Sequence, residues 1–271
     1  MTRRFTVMGI VNVTPDSFSD GGCWLDAGAA IAHGADLARE GAGILDIGGE
    51  STRPGAQPVA ADEELRRVIP VIEGLAALSA PVQLSVDTSK LAVAQAALGA
   101  GASLVNDVSA FRADPALAGL VADADCDCCL MHMRGEPRTM QDDPRYDDVV
   151  GEVAAFLEER AAFAIGEGVD PARIIVDPGI GFGKTTAHNV ELLRRLDEIV
   201  ALGFPVLIGV SRKSFLSELT GRAQVGDRVA ATVAANVLAF ERGASLFRVH
   251  DVAPTIDALR VVVGTLPGDD C

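Results

Sequence analysis

The sequence predicts a (β/α)8 barrel of the α/β class, and three observations carry that expectation. Eight short, β-branched apolar runs alternate with Ala-rich stretches of helical period. Most of the helical stretches end on a glycine just before the next run, where a left-handed C-cap is cheap. Each run then gives way to polar residues, often with Gly or Pro among them. Strands buried on both faces with helical crossovers form a parallel sheet, and eight in one chain favour closure into a barrel. The competing architecture, an open doubly wound sheet, normally carries a G-x-G-x-x-G turn after its first strand. Here that turn reads Asn12-Val-Thr-Pro-Asp16.

Taken in order, the first run is Phe5–Val11, which hands over at Asn12 to small polar residues, Pro15 and the paired Gly21-Gly22. Asp26 is placed to cap a helix over Ala27–Glu40, with Gly41 as its stop. The second run is Ile44–Ile47, after which Asp62-Glu-Glu-Leu65 puts acids at the positive end of a second helix. Pro70 is expected to kink or interrupt that helix. The remaining runs are Val82–Val86, Ser103–Val108, Cys128–Met133, Arg173–Val176, Val206–Val210 and Ser245–Val249. The repeating unit of helix, glycine, strand and polar loop spans roughly 25–45 residues, the size of a βαβ element. The longest irregular piece, Arg134–Asp148, is polar and proline-bearing, and loops of that length are commonly functional or mobile. No linker or shift of composition divides the chain, so residues 1–271 are read as one domain.

Composition narrows the function. The 271 residues fit one α/β barrel of about 200–250 residues with its loops. Hydrophobic content of 49% with only 4% aromatics suits helices packed closely on a Val/Ile-rich sheet. No run reaches the roughly 18 uncharged apolar residues of a membrane span, and the apolar run behind Arg3-Arg4 is too short for a secretory signal. A cytoplasmic location is therefore expected. A net charge of −15 argues against non-specific nucleic-acid binding. The five cysteines form an odd, irregular set, and Cys126-Asp-Cys-Cys129 lacks zinc spacing, so reduced thiols are expected. Only three lysines exist, Lys90, Lys184 and Lys213, and each follows closely on a predicted strand.

Barrels of this kind place reacting groups where strands finish. Those positions hold Asn12; Asp46 with Glu50, Ser51, Thr52 and Arg53; Asp87; Asn106 and Asp107; His132; Asp177; Ser211, Arg212 and Lys213; Arg248 and His250. Each alone has a bland explanation: Asp87 can cap a helix, Asn106 can serve a turn, and His132 can be a satisfied structural histidine. Polar residues ending nearly every strand point instead to one shared mouth. Two motifs are near-misses. Gly179-Ile-Gly-Phe-Gly-Lys-Thr185 lacks the first glycine of a phosphate loop, since Pro178 stands there. Asn12-Val-Thr14 matches a glycosylation acceptor but has no secretion signal to give it meaning.

Gly9-Ile-Val-Asn-Val-Thr-Pro-Asp-Ser-Phe-Ser-Asp-Gly-Gly22 and Asp46-Ile-Gly-Gly-Glu-Ser-Thr-Arg-Pro-Gly55 resemble the two signature segments of the dihydropteroate synthase family. Further likenesses are Ser85-Val-Asp-Thr88, Asn106-Asp-Val108, Leu130-Met-His-Met-Arg-Gly135 with Pro137-Arg-Thr-Met-Gln141, Asp177-Pro-Gly-Ile-Gly-Phe-Gly-Lys184, Ser211-Arg-Lys213 and Arg248-Val-His250. They run from the first strand to the last in the family's order. The resemblance implies condensation of 6-hydroxymethyl-7,8-dihydropterin pyrophosphate with 4-aminobenzoate, giving 7,8-dihydropteroate and pyrophosphate with Mg2+. It implies that Asp87, Asn106, Asp177 and Lys213 hold the pterin, and that Asn12, Arg248 and His250 hold pyrophosphate, with Asn12 on the metal. Thr52, Arg53, Pro54, Phe182 and Ser211 form the aminobenzoate side, and Asp87, Lys213, Arg248 and His250 are the expected catalytic set.

Physical chemistry agrees with those residue types. A pterin offers amino and ring N–H donors beside a carbonyl acceptor, so a carboxylate such as Asp177 can take two donors in parallel. Lys213 can donate to ring acceptors, and Asn106 can do either. The expected mechanism is dissociative: pyrophosphate leaves, Asp87 stabilises the delocalised pterin cation, and the loops Thr14–Gly22 and Ser51–Gln57 exclude water. Direct displacement is the alternative. Two other functions stay open, a methyltetrahydrofolate-dependent corrinoid methyltransferase on the same kind of barrel and a catalytically inactive pterin-binding paralogue. The family is commonly dimeric and its aminobenzoate site is mimicked by sulfonamides, so a homodimer and sulfonamide binding are expectations too.

Overall fold

The computed structural model describes residues 4–14, 27–53, 55–78 and 81–265. Its eight strands are β1 (Thr6–Asn12), β2 (Ile44–Gly48), β3 (Gln83–Asp87), β4 (Leu104–Asp107), β5 (Asp127–Met131), β6 (Ile174–Asp177), β7 (Leu207–Ile208) and β8 (Leu246–Val249). All neighbours pair in parallel, in the order β6-β5-β4-β3-β2-β1-β8-β7. A single bridge from Val176 to Val206, with Val176 N–H donating to the Pro205 carbonyl at 3.0 Å, brings β6 and the β7 segment together and closes the ring. This is the (β/α)8 barrel the sequence predicts.

The connecting helices are α1 (Ala27–Arg39), α2 (Ala61–Ala76), α3 (Leu91–Gly99), α4 (Ala116–Asp123), α5 (Val149–Gly166), α6 (Thr186–Arg194), α7 (Leu196–Val200), α8 (Ser214–Thr220), α9 (Val229–Glu241) and α10 (Val252–Thr265). The glycine signals before the strands work as expected: Gly41 and Gly243 both adopt φ 105° where a helix turns back to the sheet. Before β5 no glycine stands at that point, and Asp125 takes φ 47° instead, a conformation Asp tolerates better than most residues. The interruption expected at Pro70 is absent. Helix α2 runs unbroken through Pro70, whose side is solvent-exposed, so water can satisfy the carbonyl that the missing N–H leaves free. Asp26, proposed as the α1 cap, lies outside the described residues.

Because side chains alternate across a strand, each strand feeds two cores. Residues such as Val7, Leu45, Ile47, Val86 and Val105 face outward into the layer shared with the helices. Met8, Ile44, Leu104, Cys129, Ile175, Leu207 and Leu246 form a separate apolar plug inside the barrel. Two residues further along each strand the inward set becomes Ile10, Asp46, Asn106, Met131, Asp177, Gly209 and Arg248. The plug is thus the floor on which a polar layer rests, and that layer opens toward the carboxyl ends of the strands.

Candidate active site

The polar layer is organised by Asp46, which is wholly buried, with 0% exposure. Its Oδ1 accepts from Ser85 Oγ at 2.6 Å, and its Oδ2 accepts from Asn106 Nδ2 at 3.0 Å and from Arg248 Nε at 2.6 Å. The register of β2 on β3 places Asp46 opposite Ser85, so the first bond follows directly from strand pairing. Arg248 extends from Asp46 to Asp87, donating from Nη2 to Oδ2 at 2.8 Å. Its Nη1 is left over for a ligand. Burial opposes the Arg248 charge, yet Asp46 and Asp87 outweigh it and hold the guanidinium above its ordinary pKa.

Asp87 faces the opposite balance. Burial pushes its carboxyl up to about 7, Arg248 pulls against that, and the neighbouring Asp46 charge adds to the rise. Asn106 is settled by its partner: with Nδ2 committed to Asp46, its carbonyl oxygen is the group left to accept from a ligand.

Across the mouth, Asp177 ends β6 and Lys213 follows β7. Asp177 Oδ1 accepts from the Gly179 N–H at 2.7 Å, leaving Oδ2 toward the cavity. Burial raises its carboxyl pKa, opposed first by Lys213. Lys213 Nζ donates to the Ile180 carbonyl and lies 4.5 Å from the centre of the Phe182 ring. Burial lowers the Lys213 pKa to about 8. A Cβ placed on Gly209 would lie 3.9 Å from both Asp177 Oδ2 and Lys213 Nζ, and 4.0 Å from Arg248 Cβ. Those groups therefore surround one small space, which Gly209 keeps open.

The expected pyrophosphate side lies after β8. His250 Nδ1 sits 3.0 Å from Ser211 Oγ, which also accepts from the His250 N–H at 3.1 Å. Ser211, expected on the aminobenzoate side, thus also orients His250. Burial, followed by Arg248 and Arg212, lowers the His250 pKa to about 4, so the ring is neutral at physiological pH. Arg212 does not face the mouth with Lys213; it pairs with Asp251 at 2.6 and 2.9 Å. Asn12 ends β1 half-buried, and its side chain makes no hydrogen bond with a described residue.

A cavity of about 380 Å³ opens beside Asp87, lined by Thr52, Thr88, Val108, Arg112 and Met133 among others. Thr52 belongs to this wall, whereas Arg53 is exposed. Pro54 and most of the loop Thr14–Gly22 lie outside the described residues. The loop Arg134–Asp148 is pinned rather than free. Gln141 Nε2 donates to the Gly181 carbonyl at 2.7 Å, and Tyr146 Oη donates to the Gly183 carbonyl at 2.9 Å.

Two strand-end residues have local work. Asp107 Oδ1 and Oδ2 accept from the N–H groups of Ser109 and Phe111, both at 2.7 Å, tying down a turn in which Ala110 and Phe111 take φ 53° and 61°. His132 is bonded to Lys184 at 2.8 Å. Asp46 stands among the polar residues that the sequence places toward the strand ends, but its organising part is not evident there, because its partners lie on β3, β4 and β8. The signal was available: an acid inside an apolar strand must be paired.

Among the described residues no group of three or more His, Cys, Asp or Glu side chains could hold a metal ion. A magnesium ion suits this arrangement nonetheless, because it keeps several waters and is commonly held by one or two protein oxygens plus substrate phosphates. The unpartnered Asn12 carboxamide is the available protein oxygen.

Comparison with known proteins shows the family. The family described as pterin binding enzyme matches residues 8–250. A dihydropteroate synthase of Neisseria meningitidis serogroup B is 51% identical over 260 residues, covering 94% of this chain and 90% of that protein. A Xanthomonas albilineans dihydropteroate synthase structure with 4-aminobenzoic acid is 56% identical, with TM-score 0.91 over 97% of this chain and 94% of that one. A structure of the enzyme from the same organism in complex with 7,8-dihydropteroate is 52% identical, with TM-score 0.87 over 98% and 96%.

Proposed function

The chain belongs to the pterin-binding enzyme family, and from that premise we infer that it acts as a dihydropteroate synthase. It is a transferase that forms the C–N bond between 6-hydroxymethyl-7,8-dihydropterin pyrophosphate and 4-aminobenzoate, releasing pyrophosphate. The observation that carries the residue assignment is the ring of Asp87, Arg248, Asp177 and Lys213 around one opening, with Asp46 beneath it.

In this reading Asp177 Oδ2 accepts the pterin's amino and ring N–H donors. The Asn106 carbonyl accepts another, and Lys213 donates to a ring acceptor. A pocket of paired buried groups rejects analogues that leave those groups unpaired, by as much as about 10⁴-fold. Arg248 Nη1 and neutral His250, held by Ser211, donate to the departing pyrophosphate. The Asp87 carboxylate faces the methylene as positive charge develops there, a stabilisation worth most in a water-poor site. Thr52, Arg53, Phe182 and Ser211 border the arylamine's approach. Bound magnesium, held by Asn12 and the diphosphate, would neutralise leaving-group charge.

The reading extends to magnesium dependence, sulfonamide competition, a cytoplasmic location and a homodimer. Buried reduced Cys126, Cys128 and Cys129 favour a reducing compartment. Exposed Leu219, Val225 and Leu238 give the α8–α9 region apolar surface for a second copy.

The test is release of pyrophosphate from both substrates. Release that needs aminobenzoate supports the synthase; no release at any magnesium concentration refutes it. The dissociative step predicts positional isotope scrambling in the bridging oxygens of the pterin pyrophosphate without aminobenzoate. Its absence during turnover favours direct displacement.

A further inference from the structure

Lys184 is 2% exposed, and the chemistry above does not use it. Three polar atoms lie within hydrogen-bond reach of its Nζ, and burial holds the Lys184 pKa well below the ordinary lysine range. They are His132 Nδ1 at 2.8 Å, the Gly179 carbonyl at 3.0 Å and the Phe182 carbonyl at 3.1 Å. The His132 carbonyl lies further off at 3.5 Å. Where Lys184 Nζ donates to Nδ1, the ring proton of His132 is on Nε2. Burial and then the Lys184 charge press the His132 pKa down to about 2, so the imidazole stays a neutral acceptor.

Those contacts lie on the inner side of the turn that leads from β6 to α6. The turn has further ties: Gly181 N–H donates to Asn189 Oδ1 at 2.8 Å, and Gln141 and Tyr146 reach the Gly181 and Gly183 carbonyls. Between the two sets of ties sit the groups that receive Lys213, the Ile180 carbonyl and the Phe182 ring. Lys184 holds the carbonyl one residue before Ile180 and the carbonyl of Phe182 itself. The lysine of this glycine-rich turn is therefore engaged by two backbone carbonyls of the turn and by His132.

We propose that Lys184 is a positioning residue: from inside the β6–α6 turn it fixes the Ile180 carbonyl and the Phe182 ring, and through them the place of Lys213. The proposal rests on Lys213 being a pterin ligand. A methionine would fill the same channel without donors, so Lys184→Met isolates the three contacts.

Three readouts decide the matter: the thermal midpoint, calorimetric affinity for the pterin pyrophosphate without aminobenzoate, and the pH profile of kcat/KM. Misplacing a ligand through its supporting contacts predicts pterin binding roughly 10- to 100-fold weaker. It also predicts that the alkaline limb set by Lys213 climbs from about 8 toward the ordinary lysine range. A lower midpoint with wild-type pterin affinity and an unmoved limb overturns the proposal. Should Lys184→Met not fold, His132→Phe removes one acceptor and is judged by the same measurements; failure of both to fold assigns the pair to stability alone and overturns positioning. Wild-type protein that binds the pterin yet releases no pyrophosphate refutes the functional reading while leaving this one decidable by affinity.

Discussion

Asp46→Asn separates the charge of the central carboxylate from its hydrogen bonds. Oδ2 takes two N–H donors and Oδ1 takes the Ser85 hydroxyl, which can rotate and accept instead. An asparagine can thus turn its oxygen toward Asn106 and Arg248 and its NH2 toward Ser85, keeping every contact. What is lost is one charged acceptor for Arg248, which still has Asp87 at 2.8 Å. Removing a whole buried partner costs about 3–5 kcal/mol. With the bonds kept, the expected loss is nearer the increment of a charged hydrogen bond, about 1–3 kcal/mol.

The same substitution acts on Asp87. Its pKa of about 7 includes a contribution from the Asp46 charge, and Arg248 is shared between the two acids. Without Asp46 the like charge is gone and Arg248 serves Asp87 alone, so the Asp87 pKa falls. Activity that requires ionised Asp87 rises with pH through that pKa, and the acid limb of kcat/KM moves to lower pH. Pyrophosphate release measured across the limb, with urea unfolding alongside, gives both numbers. An acid limb that stays in place or moves up refutes the coupling.

Gly179→Ala should not give a folded protein, because at φ 65° its Cβ would sit 1.8 Å from the His132 carbonyl oxygen; a variant with the wild-type thermal midpoint contradicts the close approach. Asn236 is buried on α9, and neither of its side-chain polar atoms has a partner. Asn236→Leu should raise stability by about 1 kcal/mol or more, and a loss in denaturant titration would refute the prediction. His250 titrates near 4 in the folded chain against an ordinary 6.5. Its folded pKa is depressed, so the unfolded chain binds the proton first, and stability falls as pH drops from about 6.5 to about 4. His250→Gln should lose less stability over that window, and an equal loss in both proteins disproves the assignment.

Much of the barrel is legible in the sequence, because glycine signals and apolar runs are local. The β5 connection shows the limit: Asp125 replaces glycine in the left-handed region, and nothing nearby in the chain announces it. That Pro70 does not interrupt its helix is hidden for a related reason, since the cost of proline there depends on which side meets water. At the site, Asp87, Asn106, Asp177, Lys213, Arg248 and His250 are legible as polar ends of apolar runs. Asp46 as organiser and Lys184 as a buried partner of His132 are not, because those partners lie in other strands and turns. Lys184 pairs with a residue 52 positions away, and Asp46 with one 202 positions away.

The closure between β6 and β7 has a consequence for the whole molecule. Elsewhere neighbouring strands share ladders of two or more paired residues, but here a single bridged pair, Val176 and Val206, joins the two edges. Asp177 stands on one edge and Lys213 just beyond the other, so a substrate gripped by both works as a clasp across the weakest stave joint. Occupancy would then be felt as resistance to springing apart along that line, and the empty protein would unzip there first.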